Sequence, residues 1–243
     1  MSKKTLIIQV DINYGTQWGD KNTVKFLRTH CIPSVQSYCR KNNYEYTLIK
    51  NSKYEKDIGK FDFFYTKLKH YAFERYYYFN NDYEQTVYID NDVFIFNEAE
   101  ALPNITGLMS VKEPDGNSSK IFREVNNLES HHPYYNSGVI MTDHLTSSHL
   151  ANYMLSRLEN YIRAKGKNTD NMMLNEYILE NQNNFTRLDD KWNYMPFLPN
   201  AKIIHKPNFF HFVGVQGKEL IKIILDNGFE INDFLKNATF QYS

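Results

Sequence analysis

The chain has 243 residues, of which 42% are hydrophobic and 16% aromatic, enough to bury one full core. Lys plus Arg and Asp plus Glu both number 28, and no long run carries one sign, which argues against a nucleic-acid partner. No apolar run approaches the roughly 20 residues needed to span a bilayer, and the stretch Leu6–Ile8 is too short for a secretory signal. We expect one cytoplasmic globular domain, with peripheral membrane contact left open.

Strands alternate with helices in the first part of the chain. A β-branched run over 5–10 predicts a buried strand that ends in a loop, and apolar residues at helical spacing follow over 23–40. Further patterns predict a strand over 44–49, a helix over 61–78, and a strand over 87–89 that resumes over 93–96. This alternation predicts an α/β fold, a single Rossmann-like domain with a mixed, largely parallel central sheet flanked by helices.

The second part of the chain continues the pattern after a polar interruption. Residues 113–133 are polar and contain Gly, Asn and His, which predicts a mobile excursion. A strand over 136–141, helices over 145–164 and 169–179, and strands over 202–204 and 209–213 follow. The apolar spacing from 221 to 235 predicts an amphipathic helical end.

Two carboxylates, Asp90 and Asp92, stand one residue apart between two apolar runs. Burying both is costly unless a positive group compensates. In a continuing strand they would face the same side, and a turn could equally converge them on one divalent ion, for which Mg²⁺ or Mn²⁺ is suited. The alternative is a strand-terminal pair that makes only turn hydrogen bonds.

A third candidate ligand is His211, which is flanked by Phe209, Phe210 and Phe212. By itself this setting favours a hydrogen-bonded core histidine. The two carboxylates upstream favour a metal ligand instead, because three protein ligands make an open catalytic site.

These motifs resemble those of GT-A glycosyltransferases. Residues 87–94, apolar-Tyr-Ile-Asp-Asn-Asp-Val-apolar, resemble the family's Asp-x-Asp signature. Four segments follow in the order found in glycogenin-like, lipopolysaccharide galactosyltransferase-like and xylosyltransferase-like members: Asn136-Ser137-Gly138, the Asp-Gln-x-x-Leu-Asn-like run 169–175 with Asn171 in place of Gln, the Leu-x-x-x-Trp-Asn-like run 188–194, and the His-x-x-Gly-like run 211–214. The matches extend from residue 6 to about 218, and their collinear order carries the resemblance.

The resemblance implies transfer of a sugar from a nucleotide diphosphate donor, by default UDP-linked, to a glycan or other hydroxyl acceptor. It implies Mn²⁺ or Mg²⁺ held by Asp90, Asp92 and His211, with Asp170 and Asn171 beside the reacting centre. The implied nucleotide and diphosphate contacts are Val10, Asp11, Asn13, Tyr14, Lys67, Asn91, Gly214 and Lys218. The implied donor-sugar and acceptor contacts are Asn136, Ser137, Gly138 and Trp192.

The same resemblance divides the single domain into a nucleotide-binding half (1–95), a donor-sugar and acceptor half (96–218) and a C-terminal helical tail (219–243). Lys218 lies seven residues after His211, whereas six is commoner in the family. The closest motif sets belong to retaining enzymes, so we expect retention. An inverting enzyme would need a carboxylate base, for which Asp143, Asp170, Asp189 and Asp190 are candidates.

Two other classes stay open at this point. A nucleotide-sugar hydrolase or a nucleotidyltransferase could use the same metal carboxylates, although no Gly- and Arg-rich phosphate loop follows the first strand. A non-catalytic carbohydrate-binding module is the third class. The joint presence of Asp90, Asp92 and His211 argues against it.

Overall fold

The computed structural model describes residues 4–12, 21–52, 73–158, 170–198, 201, 204 and 206–237, and the elements below lie within them. The strands are β1 (Thr5–Val10), β2 (Glu45–Ile49), β3 (Gln85–Ile89), β4 (Val93–Ile95), β5 (Leu108–Lys112), β6 (Tyr135–Asp143), β7 (Phe185–Leu188) and β8 (Phe209–His211). The helices are α1 (Lys21–Phe26), α2 (Ile32–Asn42), α3 (73–79), α4 (Asn117–Val125), α5 (His144–Ser156), α6 (Asp170–Glu180), α7 (Gly214–Asn227) and α8 (Ile231–Asn237).

Six of these strands form the central sheet, in the order β2-β1-β3-β6-β5-β7. β1 pairs in parallel with β2 and β3, and β7 pairs in parallel with β5, whereas β6 is antiparallel to both of its neighbours. Strands β4 and β8 form a separate antiparallel pair. The predicted mixed, largely parallel sheet is confirmed.

Two apolar layers cover the two faces of the sheet because alternate side chains of each strand point to opposite sides. One face packs Ile8, Tyr88 and Ile140 against helices α3, α5 and α6. The other packs Ile7, Val87 and Met141 against α2, β8 and the turn that carries Trp192. A third cluster joins β4 and β8 to α1 and α7. The end of β3, the start of β6 and the β4–β8 pair therefore meet at one edge of the core.

The predicted helix over 23–40 is α1 and α2 joined by a π-helical turn, Leu27–Cys31. Pro33 lies in the first turn of α2, directly after this π-helical turn. Asp143 forms the junction between β6 and α5, since its Oδ1 accepts from Thr146 N at 2.9 Å and its Oδ2 from Gly107 N at 2.6 Å.

Several predicted segments differ from the observed ones. Residues 113–133 were expected to be an excursion but contain α4, because Phe122 is buried against Tyr134 with ring centroids 5.3 Å apart. β5 and β7 were not predicted. The first part of the predicted helix over 61–78 and residues 202 and 203 of a predicted strand lie outside the described residues. None of the described helices combines the length and apolar character needed to cross a bilayer.

Candidate active site

Asp90, Asp92 and His211 meet where β3 ends. Residues 90–92 leave β3 and lead into β4, whose Val93 is paired with His211 of β8. Backbone hydrogen bonds fix this corner, since Asp90 N donates to Gly138 O at 2.7 Å and Phe212 N donates to Asp92 O at 3.0 Å. One ligand atom from each of the three side chains lies within 4.8 Å of the other two. The predicted set is therefore brought together.

The three side chains fit a divalent cation. Asp92 is 4% exposed, and its Oδ1 is buried with no hydrogen-bond partner within the described part of the chain. His211 Nε2 lies 3.2 Å from this oxygen and 3.9 Å from Asp90 Oδ2. The other ring nitrogen, Nδ1, lies 2.9 Å from Asn193 Oδ1, so Nδ1 carries the hydrogen of the neutral ring and Nε2 presents a lone pair to Asp92. Two facing lone pairs require a proton or a cation between them, and carboxylate oxygens with an imidazole suit Mn²⁺ or Mg²⁺.

The metal-free cluster holds protons tightly. Removal of water raises the pKa of Asp90 to about 6, and repulsion from Asp92 adds to it against the opposing charges of Arg75 and His211. Burial by itself would lower the pKa of His211, but the carboxylates of Asp92 and Asp90 outweigh it and the pKa is raised. A divalent cation would take over the role of these protons.

A pH dependence of stability follows from these two shifts. Both folded-state pKa values are raised, so between them and the unfolded values the folded protein binds more protons, and its stability falls as the pH rises. In EDTA we expect the site's contribution to the free energy of unfolding to fall as the pH rises from about 4. The fall continues through the Asp90 pKa of about 6 and ends at the raised pKa of His211. Excess Mn²⁺ should remove that fall. Thermal unfolding of the protein and of Asp92→Asn at about pH 5 and about pH 8, in EDTA and in MnCl₂, measures it; the same pH dependence under all conditions would contradict it.

Arg75 of α3 connects the metal cluster to the start of α6. Its guanidinium is buried and donates to Asp170 Oδ2 and, at 3.1 Å, to Ser137 O, while Nη1 lies 3.8 Å from Asp90 Oδ1. The guanidinium also lies over the ring of Tyr88, 4.2 Å from its centroid, and the Tyr88 hydroxyl donates to Asp90 Oδ1. The guanidinium of Arg75 is thus shared by Asp90 and Asp170.

Asp170 and Asn171 open α6 beside the first residues of β6. Ser137 Oγ donates to Asp170 Oδ2 at 2.6 Å, and Ser137 N donates to Asn171 Oδ1 at 2.7 Å. One turn later, Asn175 accepts from Tyr135 N and donates to Tyr135 O, both at 2.8 Å, which docks α6 on β6. These contacts hold Asp170 next to Arg75, which in turn lies beside Asp90 of the cluster.

Gly138 leaves room for the ligands. A Cβ atom at this position would lie 2.4 Å from His211 Cε1, 2.8 Å from Asn136 Oδ1 and 2.9 Å from Asp90 Oδ2. These distances are shorter than van der Waals contact, so any side chain here would displace part of the cluster. The glycine in Asn136-Ser137-Gly138 thus has a steric reason in this site.

A cavity of about 140 Å³ lies against the polar residues behind the cluster. Its lining includes Glu113, Asp115, Arg187, Asp190, Asn193 and Tyr194. Glu113 Oε2 accepts from Asn136 Nδ2 at 2.8 Å and from Asn171 Nδ2 at 3.2 Å, and Asn193 contacts His211. Two residues of the cavity lining therefore contact the site: Asn193 contacts His211 of the cluster, and Glu113 contacts Asn171 at the start of α6.

The expected nucleotide contacts are only partly described. Val10 ends β1 and is buried, and Asp11 is bound by Arg28, whose Nε and Nη2 donate at 2.9 and 3.1 Å. Gly214 begins α7 with a φ of 72°, and Asn91 is 9% exposed in the turn. Lys218 lines a groove of about 840 Å³ between α7 and α1. Asn13, Tyr14 and Lys67 lie outside the described residues.

Trp192 and three of the candidate bases have other contacts. Trp192 is 4% exposed and its ring meets Phe209 edge to face at 5.3 Å, so we assign it to the core and do not carry it forward as a sugar contact. Asp143 caps α5, Asp189 accepts from Lys191 N at 2.9 Å, and Asp190 pairs with Arg187 at 2.9 Å. Asp170 is the candidate base that lies within the site, because it contacts Arg75.

Three residues of this site were not predicted: Arg75, Glu113 and Asn193. A signal for Arg75 was present, because a charged residue occupied an apolar position of the helical pattern over 61–78. Glu113 directly follows the buried strand β5, where an isolated carboxylate is unusual. Asn193 had no signal beyond its place in the Trp-Asn motif.

Comparison with known proteins bears on the fold. No protein-family model and no curated protein sequence matches the chain. The galactosyltransferase LgtC, solved with donor and acceptor sugar analogs, matches with a TM-score of 0.55 and 11% identity, over 91% of this chain and 95% of LgtC. A glycosyltransferase involved in glycosylation of the major capsid of PBCV-1 matches with a TM-score of 0.54 and 14% identity, over 90% of this chain and 99% of that protein. The chain has the fold of these glycosyltransferases, an α/β domain of the GT-A type, as the motifs predicted.

Proposed function

We propose that the protein is a metal-dependent glycosyltransferase that moves a sugar from a nucleotide diphosphate donor to a hydroxyl of a glycan or related acceptor. The observation that carries the proposal is the Asp90-Asp92-His211 cluster, linked through Arg75 to Asp170, on a GT-A type fold. The motif resemblance favours UDP as the nucleotide, retention of anomeric configuration, a cytoplasmic location and a division of the domain near residues 95 and 218.

Asp90, Asp92 and His211 would hold Mn²⁺ or Mg²⁺, which when bound supplies positive charge for the diphosphate that leaves. Asp170 would bind the donor sugar. Its Oδ2 is engaged by Arg75 and Ser137, so the carboxylate is held in one orientation, and its other oxygen, which has no hydrogen bond from the described residues, would accept a sugar hydroxyl. Asn171 is oriented in the same way by Ser137 N.

The acceptor would enter from the cavity beside Glu113. This cavity borders both the residues behind His211 and the residues that hold Asn171, so an acceptor there would approach the sugar bound at Asp170. Its lining combines charged and polar side chains with apolar ones such as Val111 and Met195, a mixture that suits a sugar with both hydroxyl groups and apolar faces.

Calorimetric titration tests the function. UDP, GDP and their sugar conjugates are titrated into the protein, each with Mn²⁺ and again with EDTA. We expect one nucleotide to bind in Mn²⁺ and at least about tenfold more weakly in EDTA, because an ion held by Asp90, Asp92 and His211 would supply positive charge for the diphosphate. A folded protein that binds none of them would contradict the transferase and favour the carbohydrate-binding alternative, whereas release of free sugar without an acceptor would favour the hydrolase.

A further inference from the structure

A chain of hydrogen bonds runs from His211 to the start of α6 through one carboxylate. His211 Nδ1 donates to Asn193 Oδ1 (2.9 Å), Asn193 Nδ2 to Asn136 Oδ1 (2.9 Å), and Asn136 Nδ2 to Glu113 Oε2 (2.8 Å). From the other side, Asn171 Nδ2 donates to the same Glu113 oxygen (3.2 Å). His211, Asn193, Asn136 and Glu113 are 3%, 1%, 5% and 8% exposed, so bulk water has little access to replace these contacts.

The direction of every hydrogen bond in this chain is determined. An amide side chain can be turned end for end, so only a neighbour with a fixed role can orient it. Two backbone N–H groups have such a role: Gly138 N donates to Asn136 Oδ1 at 2.8 Å, and Ser137 N donates to Asn171 Oδ1. Glu113 has the complementary fixed role, because its oxygen accepts from both NH₂ groups and would repel the amide oxygen if either side chain turned.

The orientation reaches the metal ligand through Asn193. Because Asn136 Oδ1 is an acceptor, Asn193 must turn its NH₂ toward it and its Oδ1 toward His211. His211 must therefore carry its hydrogen on Nδ1, which leaves the Nε2 lone pair on the side of Asp92 and Asp90. A turned Asn193 would present a donor to Nδ1 and favour the opposite tautomer, in which Nε2 cannot bind an ion.

We propose that Glu113 is a positioning residue that, together with the N–H groups of Gly138 and Ser137, holds these two amides in one orientation and thereby sets the tautomer of His211 and the placement of Asn171 together. It touches neither the cluster nor, through this contact, any substrate; its effect passes through Asn136 and Asn193. The inference rests on the proposed metal site, but one of its readouts requires neither a metal nor a nucleotide.

Three variants separate the contact from the charge. Glu113→Gln keeps the length and one acceptor oxygen but loses the charge, Glu113→Asp keeps the charge but is one methylene too short to reach both amides, and Glu113→Leu removes both. Glu124→Gln, on the exposed side of α4, is the matched control. Circular dichroism and thermal unfolding establish that each variant is folded.

The first readout is the tautomer of His211 in metal-free protein, from long-range ¹H–¹⁵N correlation spectra at a pH where the ring is neutral. We expect the hydrogen on Nδ1 in the wild-type, Glu113→Gln and Glu124→Gln proteins, and a mixture with the Nε2–H form in Glu113→Asp and Glu113→Leu. The second readout is calorimetric titration with MnCl₂ alone, where the latter two should bind about 10- to 100-fold more weakly and Glu113→Gln within about threefold of wild type.

Three results would overturn the proposal. The first is a wild-type His211 ring that carries its hydrogen on Nε2, which would contradict the proposal before any variant is measured. Folded Glu113→Asp or Glu113→Leu protein with the wild-type tautomer and Mn²⁺ affinity does so as well. A Glu113→Gln protein that binds Mn²⁺ more weakly than Glu113→Asp would show that the charge matters rather than the contact. If no nucleotide binds but the tautomer is as expected, the proposed role of Glu113 stands and only the proposed transferase activity is contradicted.

Discussion

The Asp92→Asn variant is expected to bind Mn²⁺ on the order of 100-fold more weakly than wild type, or worse, while keeping its fold. Loss of a residue that only supports a ligand costs 10- to 100-fold, and Asp92 is proposed as a ligand itself. Asparagine keeps the shape of the side chain but removes the charge. Asp92 Oδ1 lies 3.2 Å from His211 Nε2, and no hydrogen bond joins them when the ring is neutral, so the exchange then loses none within the described part of the chain.

The same substitution should leave the free energy of unfolding unchanged or increase it in EDTA. The metal-free cluster holds two neighbouring carboxylates, and their repulsion contributes to the raised pKa of Asp90. Above the raised pKa of His211, where the ring is neutral, removing one charge relieves that repulsion without losing an attraction to the ring. A gain in stability with a loss of binding is the pattern of a site held for function rather than for folding.

Calorimetric titration with MnCl₂ and urea unfolding in EDTA measure the two effects. Asp82→Asn makes the same chemical change at an exposed position before β3 and should alter neither. Wild-type Mn²⁺ affinity in Asp92→Asn would place the ion elsewhere. A large loss of stability in EDTA would instead make Asp92 a structural residue.

The metal cluster could be predicted from the sequence because its members are marked locally. Asp90 and Asp92 interrupt two apolar runs, and His211 stands alone among phenylalanines, so each is unusual where it is. Their convergence then follows from strand ends that meet at one edge of the core. The spacing did not decide between a continuing strand and a turn; the structure has a turn, with Val93 N donating to Asp90 O.

The contacts by which other residues support the cluster arise only in the folded protein. Asp170 lies 95 residues from Arg75 in sequence, and the two meet only when α3 and α6 pack on the same face of the sheet. Asn136 and Asn193 carry no charge and fit no periodic pattern, so their mutual hydrogen bond had no signal in the sequence.

The fold shows the same division. Runs with clear periodicity became elements close to the predicted limits, whereas β7 is an edge strand of four residues beside an Asn-rich turn and was missed. Helix α4 was hidden in a polar segment because Phe122 supplies its buried apolar contact while Ile121 and Val125 remain exposed. Burial against Tyr134, which the local sequence does not reveal, decides that this segment is helical.

Arg75→Met is expected to lower the free energy of unfolding by about 2–4 kcal/mol. Methionine fills much of the same space but leaves Asp170 and Asp90 without their shared cation, and both carboxylates are only 21% and 31% exposed. Breaking a fully buried pair costs about 3–5 kcal/mol, and the remaining exposure of the two carboxylates reduces that cost. Arg75→Lys keeps the charge but not the fork that binds Asp170 and Ser137 O together, so we expect an intermediate loss.

Urea unfolding of a double-mutant cycle measures the coupling. Combining Arg75→Met with Asp170→Asn removes both charges of the pair, so the double variant should be more stable than the sum of the two single losses predicts, by about 1–3 kcal/mol. Arg157→Met removes a half-exposed arginine that lies 3.8 Å from Glu180 and over the ring of Tyr153, and should cost about 1 kcal/mol or less. Additive losses at positions 75 and 170 would show that Arg75 acts through packing alone. Coupling of the expected size would mean that the orientation of Asp170, and with it the proposed sugar site, depends on a cation that also faces the metal.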